Sequence, residues 1–251
     1  PERLNGLLDN CNSNLIDRQI RAAGAQYGFT GSGSFEGVGM SMAAGDLDND
    51  GLADVFVGAP YDGSTSASYG TGGVAIMLSG SGMLTDGSEI WDAWNSIEGS
   101  SSKSGLGAGL AYLDADFSGT NSAAEGSLVL GAPGENNGGG AIYVVPGEDI
   151  AASGDLDDTT LHIKGSTSYG YEVGREIVDN LDLNGDGQDD LLFGYSSSRR
   201  AAKSSSSYSS ALGTSRIGLE YGAGGVTGTV NLSSVDARWH TNTRVQYYVG
   251  S

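Results

Sequence analysis

The sequence predicts an all-β fold, and three observations lead there. Glycine supplies 43 of the 251 residues, against 4 prolines, and few stretches would sustain a long helix. Short runs of β-formers such as Val55-Phe56-Val57 end at Gly/Pro breakers, as strands do. A pattern of strand, acidic loop and buried strand recurs, its loops starting at Asp46, Asp114 and Asp182, at equal intervals of 68 residues. A repeat of that length is one supersecondary unit used several times.

Residues 1–30 come first. Leu15, Ile16 and Ile20 could form one helical face, but Gly24 and polar residues interrupt it. We read 1–30 as an N-terminal extension or a strand that completes a unit of the fold. Pro1 in place of an initiator Met reads as a processed or trimmed start, so missing targeting signals say little about location.

The first unit, 31–98, contains GDLDNDGLADVFVGAP from Gly45 to Pro60. Asp46, Asp48, Asp50 and Asp54 fall at loop positions 1, 3, 5 and 9, and Leu52 can offer its backbone carbonyl at position 7. Calcium takes six to eight oxygens at about 2.3–2.6 Å, and oxygens at every second residue can wrap one ion. Gly51 at position 6 permits the sharp turn. An EF-hand would place Glu at position 12 and continue as a helix. Here position 12 is Val57 within a run of β-formers, so a strand follows.

The second unit, 99–165, keeps Asp114 and Asp116, then puts Ser118 at the third acid and carries a five-residue insertion. Glu125 is a candidate substitute, and metal there is an even proposition. The third unit, 166–234, matches as well as the first: Asp182, Asn184, Asp186, the Gln188 carbonyl and Asp190, with Gly187 at position 6. Two calcium ions are expected and a third is a candidate. Magnesium fits less well, because it keeps more of its water. Residues 196–216 are Ser-rich and read as a long loop. Residues 235–251 read as a degenerate or truncated fourth unit.

Four short antiparallel strands in roughly 60–70 residues is the size of a propeller blade. The acidic loop, the Phe/Tyr-Gly before it, and Gly58-Ala59-Pro60 or Gly131-Ala132-Pro133 after it resemble FG-GAP repeats, over roughly residues 30–200. The third unit departs, with Gly194-Tyr195-Ser196 in place of Gly-Ala-Pro. Those repeats build the β-propeller headpiece of integrin α-subunits and of related bacterial and fungal proteins. The resemblance implies a β-propeller, closed or open, whose calcium loops brace an extracellular or cell-surface interaction module. Family propellers usually close with seven units, and this sequence has three clear ones.

Several other motifs have bland readings that outweigh the sharp ones. Asp62-Gly63-Ser64-Thr65-Ser66 formally matches the metal-dependent adhesion site of integrin inserted domains, but it follows Gly-Ala-Pro in a Gly/Ser loop. Gly31 to Gly37 echoes a phosphate loop but lacks the Lys and the helix. His162 and His240 have no Cys or Glu at metal-ligand spacing; strand alternation puts His162 on an exposed face with Lys164. Trp91 and Trp94 read as fillers between neighbouring blades. Cys11, the single cysteine, reads as a buried free thiol.

A formal net charge of −19 disfavours nucleic acid and anionic membranes. No nucleophile–base pair emerges, so no enzyme is expected. The reading is a calcium-stabilised extracellular structural or adhesion module. It would bind a protein partner or associate with itself through unclosed blade edges. The alternative is a carbohydrate-binding propeller, with Tyr61–Tyr69 and Tyr169–Tyr171 as the loops to examine.

Overall fold

A computed structural model describes residues 28–66, 68–79, 87–115, 117, 126–147, 150, 156, 161–167, 171–196, 215–222 and 227–240. Most of 1–30, the Ser-rich 197–214 and the tail 241–251 lie outside those residues, as do Asp116, Ser118 and Glu125.

Runs of β-branched and aliphatic residues between glycines give strands β1 (Ser41–Gly45), β2 (Asp54–Ala59), β3 (Gly73–Met77) and β4 (Asn95–Glu98), an antiparallel meander in sequence order. The second sheet repeats it with β5 (Gly109–Leu113), β6 (Ser127–Ala132), β7 (Ala141–Pro146) and β8 (Leu161–Lys164). The third holds β9 (Glu176–Val178), β10 (Leu191–Ser196), β11 (Ser215–Glu220) and β13 (Ala237–His240), again antiparallel. The all-β expectation is met. The propeller architecture follows from the repeat, and these three sheets do not by themselves close a ring.

Two segments pair differently from the sequence reading. Strand β12 (Gly228–Asn231), which falls within the expected third unit, adds to the second sheet in parallel with β8. Residues 237–240, expected in a fourth unit, form the outer strand of the third sheet against β11. Both pairings join distant segments, which local sequence pattern cannot specify.

Side chains from facing sheets interdigitate to make the core. Phe56, Val74, Ile76 and Ile97 of the first sheet meet Leu128, Leu130 and Tyr143 of the second. On its other face the second sheet presents Val129, Ile142 and Val144 to Leu191 and Phe193 of the third. A smaller cluster covers the far face of the first sheet, where Phe29, Val38 and Trp91 pack on Val57, Ala75 and Met77. Trp91 thus covers a sheet face, while Trp94 stays 41% exposed.

Near the inner strands the sheets approach backbone to backbone. A Cβ on Gly131 would lie 1.7 Å from the Gly174 carbonyl oxygen, and one on Gly58 would lie 2.2 Å from the Gly107 carbonyl oxygen. Only glycine fits such contacts. Parallel bridges Gly72↔Leu106 and Gly140↔Val173 join successive sheets at matching places.

Candidate functional site

The turn from β1 to β2 is built by its own carboxylates. Asp46 accepts from the Asp50 amide through Oδ1 (3.0 Å) and from the Gly51 amide through Oδ2 (2.9 Å). Asp48 accepts from the Asp50 amide at 3.2 Å, and Asp50 from the Leu52 amide at 2.8 Å. Short polar side chains that bond two residues onward favour tight turns, which explains their alternation here. The result brings carboxylate oxygens of Asp46, Asp48 and Asp50 within 4.8 Å of one another. Oxygens on one calcium ion, each at about 2.3–2.6 Å, can be separated by about 5 Å at most. The donor set therefore fits that cation. The Asp48 carboxyl sits above its ordinary range, first through lost solvent and then through the charges of Asp50, Asp54 and Asp46.

Asp54 is placed differently from the other three. It is fully buried, and both its oxygens accept backbone amides, from Leu47 at 2.7 Å and Ser79 at 2.8 Å. It thus ties the loop to Ser79, the second residue beyond β3. Leu52, at position 7, is 52% exposed, and with an aliphatic side chain it has only its carbonyl to offer a cation.

The third loop reproduces this plan. Asp182 accepts from the amides of Gly185 (2.7 Å) and Gly187 (2.9 Å), and Asp186 from the Gln188 amide (2.9 Å). These amides, Gly187 first, hold the Asp182 carboxyl below its usual range. Asn184 bonds Asp186 through its side-chain amide at 2.8 Å. Asp190, also fully buried, accepts from Leu183 at 2.7 Å and Gly222 at 3.2 Å. Leu183 and Gly222 correspond to Leu47 and Ser79.

The second loop lacks the inner acid. Ser127 opens β6 where Asp54 and the residue just before β10 stand in the other units. Its hydroxyl donates to the Ala115 carbonyl at 2.9 Å, and the Gly147 amide turns to the Gly126 carbonyl at 3.0 Å. Both connections made by a carboxylate elsewhere are thus made without charge. This feature was countable from the five-residue insertion, but its hydrogen bonds were not. Asp114 is described, and its amide donates to Asp189 of the third loop at 2.9 Å; Asp116 lies outside the described residues.

The first and second loops are also held by the sheet that follows. The Tyr112 hydroxyl donates to the Asp46 carbonyl at 2.7 Å, and its ring packs on Gly45. Burial, then the charges of Asp114 and Asp46, push that phenol up to about 12. In the same way the Asp189 amide donates to the Asp114 carbonyl at 3.3 Å.

The remaining motifs are structural in geometry. Ser64 and Ser66 bond among themselves and with Ser68, as an exposed turn does. The glycine-rich stretch before β1 folds around the protein's own Glu36, 7% exposed and bonded by Ser32 at 2.8 Å. His162 is not on an open face: its ring stacks on Tyr143 with centroids 4.2 Å apart. The reason is β12, which makes β8 an internal strand. His240 falls on β13, whose side chains are not described. A concavity of about 470 Å³ lies between the second and third sheets, lined by Asn136, Lys164, Thr167, Tyr171, Arg216 and Asn231.

Fold and site together define an all-β repeat protein whose sheets carry acidic turns between their first two strands. A family model for the FG-GAP repeat matches residues 38–77, which span β1, the first acidic loop, β2 and β3. The chain carries an FG-GAP repeat there. No curated protein matches the chain. Among the described residues no helix is long and apolar enough to cross a membrane.

Proposed function

We propose that this chain is a calcium-stabilised extracellular interaction module, a scaffold for protein–protein contact or self-assembly at a cell surface. The observation that carries the reading is that carboxylate oxygens of Asp46, Asp48 and Asp50 lie within 4.8 Å of one another, in a loop anchored by the buried Asp54. In the first loop those carboxylates and the Leu52 carbonyl would hold the ion, over Asp54 as the buried anchor of the loop. In the third loop Asp182, Asn184, Asp186 and the Gln188 carbonyl would do so, over Asp190. The ion supplies charge neutralisation and a crosslink within the turn. The protein's own residues supply the turn geometry and its attachment to β3 and β11.

The position of the loops at the β1–β2 and β9–β10 turns favours bracing over sensing, since the flanking strands are already paired. An FG-GAP match over 38–77 supports an interaction role and an extracellular setting by analogy with integrins. No catalytic role is assigned.

Bound ligand stabilises the folded state by mass action, by about 2.7 kcal/mol at a hundred times Kd. Thermal melts in millimolar calcium and in excess chelator test this, with a higher midpoint expected in calcium. Identical midpoints would reject the calcium scaffold.

The second reading, a carbohydrate-binding propeller, is favoured by the concavity beside Tyr171. There an aromatic ring, two asparagines and two cations line one space. Binding on a glycan array, lost in Tyr171→Ala, would favour it; no binding would leave the scaffold reading alone.

A further inference from the structure

Strand register exposes one cross-strand pair that sets the third sheet apart. Ala59 pairs with Gly73 in the first sheet, Ala132 with Ala141 in the second, and Tyr195 with Arg216 in the third. Each pair lies one residue beyond the same glycine, Gly58, Gly131 or Gly194. Two sheets therefore put small buried residues where the third puts two large polar-tipped ones. Cross-strand partners project from one face of a sheet. Tyr195 packs in the cluster between the second and third sheets, so Arg216 projects toward that gap as well. There it lines the concavity of about 470 Å³.

Arg216 holds an uncommitted donor at this place. Its guanidinium carbon lies 6.0 Å from the centre of the Tyr195 ring, and its Nε is buried with no hydrogen-bond partner among the described residues. The Tyr195 hydroxyl, on a residue 5% exposed, is buried and unpartnered in the same sense. A buried donor without an acceptor is costly, so it marks where a ligand's acceptor would be stabilising.

No carboxylate is at hand to neutralise that guanidinium. Neither Asp nor Glu lines the concavity. Glu172, next to Tyr171, is engaged by Arg175 at 3.0 Å. From Leu191 to Leu219 the sequence contains no Asp or Glu, in a chain where acids outnumber bases 31 to 12. Lys164 adds a second basic residue to the lining, whereas its register equivalent in the first sheet is Glu98.

The rest of the lining is neutral and polar, with Asn136, Thr167, Asn231 and Ser233 around the ring of Tyr171. Amides and hydroxyls both donate and accept, as the hydroxyls of a sugar require of their partners. An aromatic ring offers a flat apolar face. A guanidinium fork matches the two oxygens of a planar carboxylate. A ligand with hydroxyls, a flat face and one carboxylate answers all three features.

We propose that this concavity binds an acidic sugar, with its carboxylate on Arg216 and its hydroxyls among the surrounding amide and hydroxyl groups. The inference rests on the carbohydrate reading of the same concavity and names the class of sugar.

Calorimetric titration of the full chain with millimolar glucuronate, glucose and acetate tests it. Glucuronate and glucose differ in a carboxylate against a hydroxymethyl group, and acetate carries the carboxylate without the ring. Glucuronate is expected to bind about tenfold or more tightly than either, the scale of a hydrogen bond to a charged group. Arg216→Gln should weaken glucuronate by a similar factor and leave glucose unchanged. Arg216→Lys keeps the charge but loses the fork, so its affinity should fall between the two. Thermal melts verify that each variant folds, and Arg216→Lys carries the test if Arg216→Gln does not. Glucose binding as tightly as glucuronate would overturn the inference while leaving the carbohydrate reading intact. Acetate binding as tightly as glucuronate, or glucuronate binding unchanged in the variants, would also overturn it. So would a failure of glucuronate to bind, and the glycan array then judges neutral sugars separately.

Discussion

Asp54 and Asp190 sit in different sheets and make the same two bonds. Each is fully buried and accepts one amide from the second residue of its loop, Leu47 or Leu183. Each accepts another from the second residue beyond the third strand of its sheet, Ser79 or Gly222. A buried carboxylate with both oxygens engaged by amides is a structural staple independent of any ion.

That separates two kinds of acid in one loop. Asp54→Ala leaves two backbone N–H groups unpaired, at about 1–3 kcal/mol each. We expect a loss of about 3 kcal/mol in urea titrations run in chelator. Asp48→Asn should lose nothing in chelator, since it relieves repulsion, but should shrink the upward shift of midpoint that calcium produces.

The close approach of sheets two and three predicts a steep steric penalty. Gly131→Ala places a methyl against the Gly174 carbonyl and should cost about 3 kcal/mol or more. Gly185→Ala meets nothing within 4 Å but must keep φ at +77°, and should cost only about 1 kcal/mol. Equal losses in chemical denaturation would refute the backbone contact.

Glu220 gives a pH dependence with a definite sign. It is 2% exposed, and burial, then the charge of Asp236, push its carboxyl up to about 7 from an ordinary 4.5. The folded state keeps the proton longer than the unfolded chain, so stability falls as pH rises from 4.5 through 7. Glu220→Gln should be neutral at pH 4.5 and stabilising by ~1–3 kcal/mol at pH 8. Midpoints measured at both values check it.

His162 has the opposite slope. Burial, then the Lys164 charge, push its imidazole down to about 4, and its Nε2 has no hydrogen-bond partner among the described residues. The unfolded chain takes up the proton near 6.5 and the folded one only near 4, so stability falls as pH drops through that window. In His162→Phe, which keeps an aromatic ring against Tyr143, the difference from wild type should grow in the variant's favour on acidification. A constant difference across pH 7 to 4 would count against the assignment.

The acidic loops were legible in the sequence because alternating Asp with Gly at position 6 is a local pattern with a local cause. The strands after them were legible for the same reason. Asp54 was harder, since spacing groups it with the other acids, whereas its depth depends on the Val55-Phe56-Val57 strand it opens. His162 was misplaced because alternation gives a face but not what covers it, and β12 arrives from some 65 residues downstream. The pairing of β13 with β11 had the same difficulty: long-range partners leave no periodic trace in either segment.

The glycine contacts at Gly58–Gly107 and Gly131–Gly174 also bear on mechanics. Side chains between layers can change rotamer and let layers slide, but main chain resting on main chain has no such slack. The three sheets are thus wedged at a fixed angle along their inner rim. A pull applied at one end would turn the stack as a stiff unit, and give would come first in the loops between strands.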